Sequence, residues 1–166
     1  MKHSLRRYGS ALVRISWKEL ILLAELLFLL VKLLVVQSRR TLPGLVAGFD
    51  SENRPHDPLR MRVSRLIRIV DILMRVVFHD RYCMKRSLLL FHFLRRWGYD
   101  ARLIFGVQKQ GGDIQGHAWV EVQNRPLAEG ADPRSVYVQT YSYPPPATPN
   151  ATGPATPAVQ PLEAQE

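Results

Sequence analysis

The 166-residue sequence has a single cysteine, Cys83, and that scarcity closes several classes at once. No intramolecular disulfide can form and no cysteine-based zinc cluster can assemble, so cysteine usage fits a reducing compartment. A lone thiol is inert core, metal ligand or nucleophile, and by composition alone inert core is the default. Acidic residues are also few: 14 Asp and Glu against 23 Lys and Arg give a formal net charge of +9. That excess suits an acidic partner, a membrane surface or nucleic acid without choosing among them. A long apolar run free of charge is lacking too. Residues 19–36 (ELILLAELLFLLVKLLVV) come near, but Glu25 and Lys32 interrupt them, and no small-residue cleavage site follows in Gln37-Ser38-Arg39-Arg40. A charge at a bilayer centre is costly, so the pattern argues against a spanning helix and against a signal peptide. Residues 144–166 contain seven of the 12 prolines and no aromatic residue, a composition that predicts a disordered tail. An acceptor pattern for glycosylation at Asn150-Ala151-Thr152 carries little weight without a secretory signal.

What is present, 46% hydrophobic residues, suffices for one core with appendages. Residues 1–57 read as a basic and apolar N-terminal helical region with a connector. Lys18, Glu25 and Lys32, spaced by seven, draw one polar line on a helix otherwise hydrophobic around its surface, which predicts burial on most sides. A core helix and a docking surface for a partner protein or membrane are both open, and the second predicts aggregation of the isolated chain. In the connector 41–57, Asp57 before Pro58 reads as a helix cap. Leu59, Val63, Leu66, Val70, Leu73 and Val77 then follow helical spacing, with Asp71 and Arg75 placed to pair. The outer face of this helix carries Arg60, Arg65, Arg68 and Arg75, with no aromatic residues interleaved for stacking, which disfavours nucleic acid.

Residues 80–98 predict a helix with Asp80 as N-cap and Gly98 as stop, placing Cys83 in the first turn, where the helix dipole favours thiolate. Cys83, Ser87, Leu90, Phe91 and Leu94 share its inward face. Periodicity then changes to two: residues 101–107, 116–122 and 135–141 are strand candidates, with a hairpin loop at 109–113. Helices followed by an antiparallel sheet make the fold class α+β. A core of residues 58–143 is thus flanked by the N-terminal region and the tail.

A thiol at a helix start and an imidazole on a strand can cooperate in nucleophilic catalysis. His92 lies on the far side of the cysteine helix, His3 in the basic N-terminus, His56 in the connector and His79 on a loop. His117, fixed on a strand, is therefore the best base. The acid must come from a neighbouring element: Glu129 ranks first and Asp132 second, just beyond the turn after the strand. Glu121 is on the same face but roughly 13 Å along the strand.

Three linked blocks carry a family resemblance: Tyr82-Cys83-Met84-Lys85-Arg86-Ser87-Leu88-Leu89-Leu90, the run from Leu94 to Leu103, and Gly116-His117-Ala118-Trp119-Val120-Glu121-Val122. Together they resemble the transglutaminase-like cysteine peptidases of lasso-peptide biosynthesis, in the stand-alone form of split systems. The resemblance implies a cysteine helix packed on an antiparallel sheet, with Cys83 as nucleophile, His117 as base and then acid, and an acid about a dozen residues later, where Glu129 stands and Asp132 is close. It implies hydrolysis of a leader peptide from a ribosomally made precursor, with no cofactor or metal. Implied partners are the precursor, a separate leader-recognition protein and an ATP-dependent macrocyclase, in the cytoplasm with the membrane surface open. Acyl transfer to an amine by the same triad, and a non-catalytic membrane or partner-binding protein, are the alternatives.

Overall fold

The computed structural model describes residues 16–54, 56–78 and 82–145. The expectations for His3, His79, the Asp80 cap, Asn150 and the tail beyond Pro145 lie outside them. Four helices precede a four-stranded sheet: α1 (Trp17–Val36), α2 (Leu42–Ala47), α3 (Val63–Val77), α4 (Cys83–Arg96), then β1 (Ala101–Gln110), β2 (Asp113–Val122), the short β3 (Arg125–Pro126), a 3₁₀ turn (Pro133–Ser135) and β4 (Val138–Tyr143). The sheet is antiparallel throughout, in the order β3-β2-β1-β4. The α+β class expected from the sequence is the class observed.

Helix α4 is the centre. It packs on β1 and β2, on α3 and on α1, so Leu88, Leu89, Leu90, Phe91, Phe93 and Leu94 are all buried. The four consecutive apolar residues Leu88 to Phe91 point to all sides of one turn, and such a turn has to be enclosed. It ends in a Schellman motif, Gly98 N–H on Arg95 O (3.0 Å) and Tyr99 N–H on Leu94 O (2.9 Å), with Gly98 at φ +84°. An L side chain there would be strained and would also meet the Asn53 amide at 2.8 Å.

Helix α1 starts at Ser16, whose N–H is taken by the Glu19 carboxylate (2.7 Å). Its polar line faces the protein at two points: Glu25 pairs with Arg96, and Lys32 donates to the Gly48 carbonyl (3.2 Å). The expected burial on most sides is not found. Leu22, Leu26, Leu29, Leu30 and Leu33 are buried on one face, while the opposite face is exposed and apolar.

Helix α3 begins at Val63, later than the sequence pattern suggested, because Asp57 is occupied elsewhere. Its Oδ1 accepts from Leu59 N–H (2.8 Å) in a tight turn and its Oδ2 pairs with Arg96. Asp71 pairs with Arg86 (2.7 Å), not with Arg75, and Arg65 of the outer basic face pairs with Glu19 on α1. The hairpin narrows to the two-residue turn Gly111-Gly112 between Gln110 and Asp113. The last strand starts at Val138, since Pro133–Ser135 coil into the 3₁₀ turn.

Candidate active site

Cys83 is the first residue of α4 and is half-buried. At that position a residue's own amide has no partner within the helix, and the following amides point toward the side chain. The Met84 N–H adds a small lowering of the thiol pKa. A second backbone contribution comes from the sheet: Ala118 N–H, next to His117 on β2. The two elements are tied at this level by Ser87, one turn after Cys83, whose buried hydroxyl donates to Ala118 O (2.8 Å). That bond sets the spacing between thiol and imidazole.

His117 Nε2 meets Glu129 Oε2 at 3.1 Å, and the Cys83 sulfur is the largest influence that raises the imidazole pKa. The ring packs against Tyr137 (centroids 5.1 Å) and Trp119 (6.0 Å), which are 6.5 Å from each other, so the three rings form one triangular cluster. Two neighbouring aromatic rings restrict its rotation and favour the imidazolium. Gly106 lies directly across the ladder from His117, and a Cβ there would meet Tyr137 Cβ at 2.9 Å and the Trp119 ring at 3.0 Å. Its bare backbone makes room for the cluster.

Glu129 reaches the ring by a short return of the chain. After β2, Gln123 and Asn124 turn with φ of 52° and 62°, β3 pairs back on Glu121 and Val122, and Leu127 N–H bonds Val120 O (2.8 Å). Ala128, at φ 57°, then bends the chain so that Glu129 comes beside His117. Its other oxygen, Oε1, accepts from Arg86 Nη1 (3.2 Å), while Arg86 Nη2 donates to Ala128 O (3.1 Å) and Nε to Asp71 (2.7 Å). One guanidinium therefore fixes both the carboxylate and the turn that delivers it.

The electrostatic result is a charge-separated pair. The His117 hydrogen bond is the largest influence on the Cys83 thiol and holds it below the ordinary thiol range, against the opposing effect of burial; the Ala118 amide adds to the lowering. His117 rises from 6.5 to about 9, first through Cys83 and then through Glu129, with desolvation opposing. Such a pair is a nucleophile with a proton donor beside it.

The structure thus brings together Cys83, His117 and Glu129. Asp132, the alternative acid, is not brought to the ring: it is exposed, accepts from Arg134 N–H (3.0 Å) as cap of the 3₁₀ turn, and pairs with the Arg134 side chain (2.7 Å). Glu121 accepts from the Trp119 indole (3.0 Å). His92 sits on the other side of α4 against Phe49 O (3.0 Å), and burial lowers its pKa. Among the described residues no group of three or more His, Cys, Asp or Glu is placed to hold a metal. Sequence reasoning missed Arg86 and Tyr137, for which it held no signal. Ser87 had one, as a polar residue on an apolar inward face.

Compared with protein families, residues 26–142 match the model described as the transglutaminase-like superfamily, a span that contains Cys83, His117 and Glu129. No curated protein and no solved structure matches the chain.

Proposed function

The chain belongs to the transglutaminase-like superfamily, and from that premise we propose that it is a cysteine peptidase that removes the leader from a ribosomally made lasso-peptide precursor. The observation that supports the peptidase reading is the His117–Glu129 hydrogen bond beside Cys83, with thiol and imidazole shifting each other, the thiol down and the imidazole up. The lasso-peptide assignment rests on the three sequence blocks around Cys83, Leu94–Leu103 and His117.

The surroundings of the thiol suit an extended peptide. Strand β3 pairs only with Glu121 and Val122, so the edge of β2 from Asp113 to the catalytic level carries no partner strand among the described residues. In an antiparallel ladder, outward-pointing backbone groups alternate. Val120 O and Ala118 O both point outward, to Leu127 and Ser87, and Gly116 and Ile114 are in phase with them. A substrate strand added along this edge would run directly to Cys83.

In the proposed reaction the Cys83 thiolate attacks the scissile carbonyl carbon, and the electron pair moves to oxygen. The Cys83 amide, unpaired within α4, faces the developing oxyanion. His117 gives its proton to the leaving amine, and the C–N bond breaks to leave a thioester. Water then gives a proton to His117 and its hydroxide attacks the thioester; the C–S bond breaks, restoring thiolate and imidazolium, and the carboxylic acid released loses its proton to solvent. Glu129 stabilises the imidazolium in both halves.

The test is cleavage of precursors encoded beside this gene by wild type and by Cys83→Ala, with and without the neighbouring leader-recognition protein, followed by mass spectrometry. A single cut that Cys83→Ala loses by on the order of 10⁴-fold or more supports the reading. A product carrying an added amine points to acyl transfer. No processing in any combination, with Cys83 resistant to alkylation in the folded state, overturns it.

A further inference from the structure

We propose that α1 lies on an anionic membrane surface, its solvent-facing side immersed at the boundary between headgroups and acyl chains. The proposal is independent of the catalytic reading. Trp17, Leu20, Ala24, Phe28, Val31 and Val35 recur at three- and four-residue intervals and form one face opposite the buried leucines. The face runs about 27 Å along the helix. Trp17 is 75% exposed, Phe28 69% and Val31 59%. Ile21, Leu27 and Leu34, which flank it, are apolar too; the exposed Lys32 borders the face and donates to Gly48 O (3.2 Å), so the strip itself carries no charged side chain and only the Trp17 indole as a hydrogen-bonding one.

Two observations select a lipid surface over a protein partner. The first is this uniformity. Protein interfaces are only about 56–65% apolar and carry hydrogen bonds across them, whereas the hydrocarbon boundary asks for none. The indole at the N-terminal end is the kind of group that settles at headgroup level. The second is charge. Both acids of α1 are engaged toward the protein, Glu19 with Arg65 and Glu25 with Arg96. Lys18 at one end and Arg39 and Arg40 just past the other are exposed. Residues 1–15, which continue from the Trp17 end, add Lys2, Arg6, Arg7 and Arg14 and no acid. Cations at both ends of an apolar face complement anionic headgroups. The helix would lie on the bilayer, since no helix among the described residues is long and apolar enough to cross one.

Flotation of the full chain with vesicles of equimolar phosphatidylcholine and phosphatidylglycerol tests this. Wild type and Cys83→Ala should bind alike, binding should weaken with salt, and vesicles of phosphatidylcholine alone should bind less. Phe28→Glu with Val31→Glu should weaken binding at least about tenfold. Both positions are solvent-facing, and an unchanged thermal transition verifies the fold; Phe28→Ser with Val31→Ser, which adds no charge, should weaken binding in the same direction. Absence of wild-type binding, or equal binding by all these variants, overturns the proposal. So does concentration-dependent self-association that the double substitution abolishes while vesicle binding is unchanged, because the face would then belong to a second copy.

Discussion

Helix α4 carries an arginine between two carboxylates near each of its ends, and the two ends serve different purposes. Near the C-terminus, Arg96 pairs with Glu25 of α1 and with Asp57 of the connector. One turn into the N-terminus, Arg86 pairs with Asp71 of α3 and with Glu129. Both arginines join a helix to a segment distant in sequence, and both are largely buried. The difference lies in what the carboxylates do next. Asp57 has its second oxygen on a backbone amide, so that end is closed. Glu129 has its second oxygen on His117, which itself holds the Cys83 thiol. The same ion-pair chemistry is a clamp at one end and, at the other, a support whose electrostatics pass to a titrating group.

The largest effect expected from breaking the comparison is on stability, at the closed end. Arg96→Met should lower unfolding free energy by about 3–5 kcal/mol, because it leaves the Asp57 carboxylate buried without its cation. The Asp57 side chain is 0% exposed, so water cannot replace the guanidinium. Urea denaturation at neutral pH reads the loss, and the proposed cleavage activity per folded molecule should be unchanged. Lost activity with retained stability would mean that the two ends communicate through α4.

Glu129→Gln is the corresponding change at the open end, and its main effect should be on chemistry. With the amide in place His117 loses one of the two contacts that raise it to about 9. The imidazolium, the proton donor of the proposed reaction, therefore becomes scarcer as pH rises, and the alkaline limb of kcat/KM should move below about 9. The rate at neutral pH should fall on the order of 10²-fold, within the range general acid–base catalysis supplies. The stability sign follows from the same shift. A raised histidine stabilises the fold below its unfolded value, near 6.5, and that contribution is lost as pH rises through about 9. The stability gap between wild type and Glu129→Gln should therefore narrow across that window. An unmoved alkaline limb would detach Glu129 from His117.

The comparison also shows where the sequence was readable. Cys83 at a helix start, His117 on a strand with period two, and Glu129 after a turn are all local patterns, although composition alone made inert core the default for the thiol. Of the two candidate acids Glu129 is the one that meets the ring, and the reason lies in Ala128: its left-handed conformation turns Glu129 inward, while Asp132 is taken by Arg134 two residues on. The arginine clamps were not readable. Asp57 looked like a cap for Pro58 and Asp71 like a partner for Arg75, because local spacing offered both, and tertiary structure supplied stronger cations in Arg96 and Arg86. The same competition moved the start of α3 to Val63. Exposure of one side of α1 was hidden for another reason: a helix apolar all round carries no pattern that says which side is covered.

The smallest effect should come from Arg86→Lys, and it decides whether the N-terminal clamp is structural like its counterpart. The guanidinium makes three contacts at once, to Asp71, Glu129 and the Ala128 carbonyl. An ammonium keeps the charge but has one nitrogen, which cannot span three acceptors set by a planar fork. Charge neutralisation of Glu129 should persist, so the fold should survive with little change in its urea midpoint. What is lost is aim: the Ala128 turn is released and Oε2 is no longer held on the His117 Nε2. The expected result is about a tenfold fall in kcat with KM unchanged, since a displaced orienting group weakens the transition state without touching substrate binding. The alkaline limb should move in the same direction as in Glu129→Gln and by less. If Arg86→Lys instead lowers stability while leaving kcat and the limb in place, Arg86 is a clamp of the Arg96 kind, and Glu129 finds His117 without its help.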